Sequence, residues 1–160
     1  MFYTQILFKT LSEKESRFFY MKAKSRLIET AGHALLPIYL KKEEITAYQC
    51  PEEDSYDFVI SVKGRFIRIK VRSVNGDADY PSVGKLTEKQ FRKCDFIIVY
   101  LLDNDKNRFF TIPVKKIPRS RAISFSKRKD GSIKGKWLKY EGFESLKKEL
   151  EILGWFEKKN

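Results

Sequence analysis

Segment 56–73, Y-D-F-V-I-S-V-K-G-R-F-I-R-I-K-V-R-S, constrains the chain more than any other. Two runs rich in β-branched and aromatic residues flank Lys63-Gly64, and a two-residue gap of this kind is the connection a tight β-hairpin uses. The predicted strands cover 56–62 and 65–73. In the second strand, Ile67, Ile69 and Val71 fall on one side, and Phe66, Arg68, Lys70 and Arg72 on the other.

The remaining elements follow from period and punctuation. Ser12 and Glu15 form a capping box, and apolar residues at helical spacing predict a helix over about 13–31 that Gly32 stops. Residues 34–40 read as a short strand with Pro37 at an edge or bulge. Segment 41–55, with Glu43, Glu44, Glu52, Glu53 and Asp54, reads mainly as loop, as does 75–84. Thr87 and Gln90 offer a second capping box before a short helix ending near Cys94. An apolar run at 95–102 predicts a buried strand, and 108–113 its return after the turn D-N-D-K-N. The stretch 115–136 predicts a helical turn and a hairpin around Asp130-Gly131. A final helix over 143–153 ends at Gly154. The expected fold class is α/β, one mixed central sheet flanked by helices, in a single domain over 1–160.

Charge separates the function classes. The 160 residues carry 33 Lys+Arg against 21 Asp+Glu, a net charge of +12. Lys63, Arg65, Arg68, Lys70 and Arg72 sit in 63–72 without an acid. Lys115, Lys116, Arg119, Arg121, Lys127, Arg128, Lys129, Lys134 and Lys136 share 115–136 with Asp130 alone. These two stretches hold more than the whole excess, so the charge is patched rather than spread, and a patched excess favours a phosphate-binding surface. The competing reading is a solvated basic face without a partner. With 42% hydrophobic and 14% aromatic residues the chain can bury a core, which excludes wholesale disorder. The sequence shows neither a membrane-length apolar run nor a signal-peptide pattern. An intracellular location, cytoplasm or nucleoid, is expected, with no membrane partner. Two cysteines cannot make a disulfide framework or a four-thiolate zinc site, so Cys50 and Cys94 read as reduced and structural. One histidine leaves no room for the familiar histidine-based dyads, and His33 reads as a partly exposed helix-end residue. Phe125, Trp137 and Tyr140, in or beside the basic stretch, either stack on bases or close the core.

The element order, with the 56–73 hairpin at its centre, resembles the PD-(D/E)XK nuclease superfamily, in particular its small restriction-, homing- and Holliday-junction-type enzymes. C-D-F-I-I-V-Y, R-F-F-T-I-P and W-L-K-Y extend the likeness over most of the chain. The resemblance implies a restriction-endonuclease-like sheet and a metal site in which acids on the hairpin hold Mg²⁺ and a lysine handles the attacking water. Asp57 matches the first aspartate, the implied metal ligand. The second-strand positions align with Lys70 and Arg72, giving K-V-R where an acid or glutamine, a spacer and a lysine are expected. Sliding by two puts Lys70 in the lysine slot and Arg68 in the acid slot. Neither register supplies an acid. A cation about 4 Å from a divalent ion costs on the order of 8 kcal/mol at an effective dielectric near 20.

Candidate replacement acids are Glu13, Glu15 and Glu29 on the first helix and Asp77 and Asp79 after the hairpin. Asp57 itself is either a ligand or a strand-start carboxylate paired with Arg68, Lys70 or Arg72. The expectation is a nucleic-acid-binding protein, DNA before RNA, with a degenerate metal site and no cofactor, non-catalytic or dependent on a partner. Arg65, Arg68, Lys70 and Arg72 would contact phosphates, with the 115–136 cations as a second strip. A homo-oligomer or a nuclease subunit is the expected protein partner. The alternative is an active Mg²⁺-dependent endonuclease with a relocated acid.

Overall fold

The computed structural model describes residues 13–51, 55–103 and 106–155. Ser12, and with it the first capping box, lies outside them, as do 52–54 of the acidic loop and 104–105 of the D-N-D-K-N turn. A mixed sheet organises the chain: β1 (Tyr48–Gln49), β2 (Phe58–Val62), β3 (Arg65–Asn75), β5 (Phe96–Asp103) and β6 (Lys106–Pro113), in the order β1-β2-β3-β5-β6. Only the β3–β5 pair is parallel. Between those two strands the chain forms β4 (Ser82–Lys85) and the short helix α2 (Glu88–Lys93), whose Thr87–Gln90 capping box is present as expected.

The hairpin forms as its sequence dictates. Lys63 and Gly64 both adopt positive φ, 46° and 77°, the twist that lets a two-residue turn follow the strands. Ile67, Ile69 and Val71 are buried and the alternate residues are not.

The first helix is longer than the sequence suggests. Helix α1 spans Glu13–Lys42, through Gly32 and Pro37, so the expected stop at Gly32 and the strand over 34–40 do not occur. Gly32 is needed for close approach. A Cβ there would sit 2.5 Å from Ser73 Oγ and 3.0 Å from Tyr100 Cβ, so the helix lies directly against β3 and β5. Beyond it, Leu36 and Leu40 are completely buried. Burying two leucines contributes about 3–6 kcal/mol, against about 3 kcal/mol lost to a proline inside a helix. Tertiary packing therefore overrides the local stop signals.

Each sheet face carries its own core. On one, Ile28, Leu36 and Leu40 of α1 and Leu146 and Leu150 of α3 (Glu144–Ile152) cover Phe58, Ile60, Ile69, Ile98 and Tyr100. On the other, Val74, Ile97, Val99, Phe110 and Ile112 are covered by Leu86 and by the chain after β6. That chain includes a 3-10 turn (Val114–Lys116), β7 (Ala122–Ser124) paired with β4, and the hairpin of β8 (Ser126–Lys127) and β9 (Ile133–Lys134). Phe125 and Trp137 are buried in this second core and Tyr140 packs on it, so of the two readings of these aromatics the core one holds. Three short strands fall outside the sequence-based assignment: β1 and β4 lie in segments read as loop, and β7 in the basic stretch. Among the described residues, no helix is long and apolar enough to cross a membrane.

The Gly32 contact is testable. Gly32→Val should lower the free energy of urea unfolding by about 2–3 kcal/mol through overpacking against β5. Ala34→Val, on the exposed side of the same helix, should cost less than about 1 kcal/mol. Equal effects at the two positions would contradict the close approach.

Candidate nucleic-acid interface

The site grows from a handover along β3. Its residues 65–69 pair with β2, and 69–75 pair with β5. Asp57, just before β2, still donates its N–H to the carbonyl of Ile69 at 2.8 Å. Beyond that point β2 and β3 part. The Asp57 side chain fills the gap: Oδ2 accepts the Val71 N–H and Oδ1 accepts from Lys70 Nζ, each at 2.6 Å.

Helix α1 closes the gap from the other side. His33 Nε2 lies 3.5 Å from Asp57 Oδ2. Its Nδ1 lies 3.0 Å from the Glu29 carbonyl, which only accepts, so Nδ1 carries a proton. The second nitrogen then faces a carboxylate, which favours the imidazolium. Burial works against charge on Asp57, but hydrogen bonds from His33, Lys70 and the Val71 N–H outweigh it and hold the carboxyl below its usual range. The hydrogen bond to Asp57 raises His33 above its ordinary value, against an opposing effect of burial.

A cleft of about 700 Å³ opens over this cluster. Arg26, Glu29, Thr30 and His33 line it from α1, Asp57 from the start of β2, and Lys70 and Arg72 from β3. With His33 protonated, four cations face two carboxylates. Such a cleft attracts anions. Its donor set does not fit an ordinary Mg²⁺ site, which needs several hard oxygen ligands. Both Asp57 oxygens already accept hydrogen bonds, and among the described residues no group of three His, Cys, Asp or Glu side chains converges.

The other cations named from the sequence divide between internal partners and solvent. Arg68 makes a fork on Asp95, with Nε to Oδ2 at 3.0 Å and Nη2 to Oδ1 at 3.2 Å, while its backbone N–H also donates to Oδ2. Arg72 donates to Gln90 Oε1 at 2.7 Å, and Arg121 pairs with Glu88. Lys115 lies 3.8 Å from Glu149. Arg65, Lys116, Arg119, Arg128, Lys129, Lys134 and Lys136 are exposed and Lys127 half-buried. The Lys136 ammonium lies 4.5 Å from the centre of the Trp137 ring. Of the candidate acids, Glu29 lines the cleft, whereas Asp77 pairs with Lys24 at 3.0 Å. Cys94 is buried, and burial pushes its thiol up to about 11, so it stays protonated.

His33 is the site residue that the sequence reading misplaced. Once α1 runs through Gly32, Arg26, Glu29, Thr30 and His33 follow the i, i+3, i+4, i+7 spacing of one helix face. That spacing is the signal that finds them.

No protein-family model matches the chain, and no curated protein matches its sequence. Its fold is similar to that of a bacterial homing endonuclease, I-Ssp6803I, with a TM-score of 0.58 at 15% identity. The likeness covers 84% of this chain and 98% of that one. The two chains thus share a mixed α/β fold.

His33 is the sole histidine, so its proton NMR titration is unambiguous. The midpoint should lie above 6.5 in the wild type and drop in Asp57→Asn, where burial is left with less to oppose it. The raised value contributes stability that is complete below the unfolded pKa and lost as pH rises through the folded one. The lowered Asp57 value contributes stability present above the unfolded carboxyl pKa and lost as acid titrates the folded group. A wild-type midpoint at or below 6.5 would mean that the imidazole and Asp57 do not interact as described.

Proposed function

We propose that the chain binds nucleic acid, DNA foremost, on a PD-(D/E)XK-like scaffold whose cutting centre lacks the second-strand metal-binding acid, so that it does not cut on its own. The observation that carries this reading is the pair Asp57–Lys70. They touch across the β2–β3 gap at 2.6 Å, which matches the family's aspartate and lysine in the register that leaves Arg68 in the acid slot. Arg68 is held by Asp95. A guanidinium there cannot replace a carboxylate ligand, and no cofactor is assigned.

Two contacts support a shared phosphate-binding surface. Arg72 of the hairpin and Arg121 of the late stretch both reach side chains in the first turn of α2, Gln90 and Glu88. Arg65 and Lys115 line one cleft of about 420 Å³. The likeness to a homing endonuclease supports DNA as the partner. Fluorescence anisotropy with duplex DNA should give binding whose log affinity falls linearly with log salt. Alanine at Lys127, Arg128 and Lys129 together should flatten that slope by about 2–3, one counterion per lost phosphate contact. Absence of binding at low salt, or an unchanged slope, would defeat the reading.

A second reading has one observation in its favour: Glu29 lines the same cleft as Asp57 and Lys70, so an acid relocated to α1 is available. Plasmid incubated with Mg²⁺ or Mn²⁺ should stay intact if the first reading holds. Cleavage that disappears in a folded Asp57→Ala variant would establish the second.

A further inference from the structure

The side of the β1–β2–β3 wing away from the α1 core carries a groove that the cleft does not use. By register, Tyr48, Val59 and Arg68 form a row across the three strands, and Phe66 lies opposite Ser61 in the next row. Their neighbours Phe58, Ile60, Ile67 and Ile69 point into the core, so this row points outward. Phe66 is 62% exposed and Tyr48 59%. Beside Phe66 lies a groove of about 510 Å³ lined by Cys50, Tyr56, Val59, Phe66 and Arg68.

We propose that this groove binds an unpaired nucleobase, stacked on Phe66 and Tyr56, with Arg68 presenting its guanidinium plane and Arg65 meeting the adjoining phosphate. The inference rests on the nucleic-acid reading above and adds the substrate class: single-stranded, flipped or frayed nucleic acid. Aromatic rings beside cations are the chemistry of base stacking. The base faces that such rings need are hidden inside an intact duplex.

The charges favour this occupant over a second copy of the chain. Arg65 is exposed and lines the adjoining cavity, which shares Phe66 with the groove, and the Asp95 carboxylate there is matched by Arg68. A two-fold contact through this face would set the same cations against each other. The groove also adjoins the cationic cleft, since Cys50 lines both. A strand with one phosphate at Lys70 therefore passes the groove.

The test is anisotropy with three probes at one low salt concentration: a short oligo(dT), an abasic oligomer of equal length, and a duplex. The abasic oligomer keeps the phosphates and removes the bases. Wild type should bind oligo(dT) about tenfold more tightly than the abasic oligomer. Phe66→Ala, which removes an exposed side chain and should fold, brings that ratio close to one, and Phe66→Trp preserves it. Equal binding of oligo(dT) and the abasic oligomer, or a ratio untouched by Phe66→Ala, overturns the base-binding groove while leaving the nucleic-acid reading intact. Binding of none of the three defeats that reading and the groove with it. A wild-type dimer that Phe66→Ala dissociates, with the ratio unchanged, assigns the face to a second copy and also overturns the proposal.

Discussion

The Asp57 carboxylate holds the cleft together. Where β2 leaves β3, the Val71 N–H loses its strand partner, and a buried backbone donor without an acceptor is costly. Asp57 supplies the acceptor. A carboxylate at that depth then requires cations of its own, which Lys70 and His33 provide. His33 reaches it because α1 lies directly on β3 and β5, and α1 lies there because residue 32 has no side chain. A sheet defect, an ion pair, a helix position and a glycine are thus one linked arrangement.

Several cations read from the sequence as phosphate ligands also tie the fold. Arg68 fixes the start of β5 through Asp95, and Arg72 and Arg121 fasten α2 from two sides. The Arg68–Asp95 fork is geometrically specific, so it positions an element as well as supplying charge. Each of these arginines retains use toward an anion, because a guanidinium has five donors and these contacts occupy only some of them. Among the described residues, the Nε of Arg72 is buried without a hydrogen-bond partner.

The sequence was most legible where local chemistry and tertiary demand agree. The 56–73 alternation, the Thr87–Gln90 capping box and the apolar run of β5 each specify their element whatever surrounds them. It was least legible at α1. Gly32 and Pro37 are helix-ending residues in isolation, and only the contact with Ser73 and Tyr100 and the burial of Leu36 and Leu40 reverse that meaning. Misreading the helix end also hid His33, since a residue placed after a helix has no face. Asp57 and Lys70 were legible as a pair through the family resemblance. The commitment of Arg68 to Asp95 was not, because it joins residues 27 positions apart. The short strands β1, β4 and β7 carry too few residues to show a period.

The even-numbered residues of β3 show how one strand face serves two cavities. Phe66 and Arg68 line the outer groove, while Lys70 and Arg72 line the cleft. The change comes at Ile69, where β3 exchanges one neighbour for the other. Phe66 and Lys70 lie four positions apart on the same strand face, about 13 Å of strand. An aromatic at one end of that interval and an ammonium at the other match the two halves of a nucleotide chain, its bases and its phosphates.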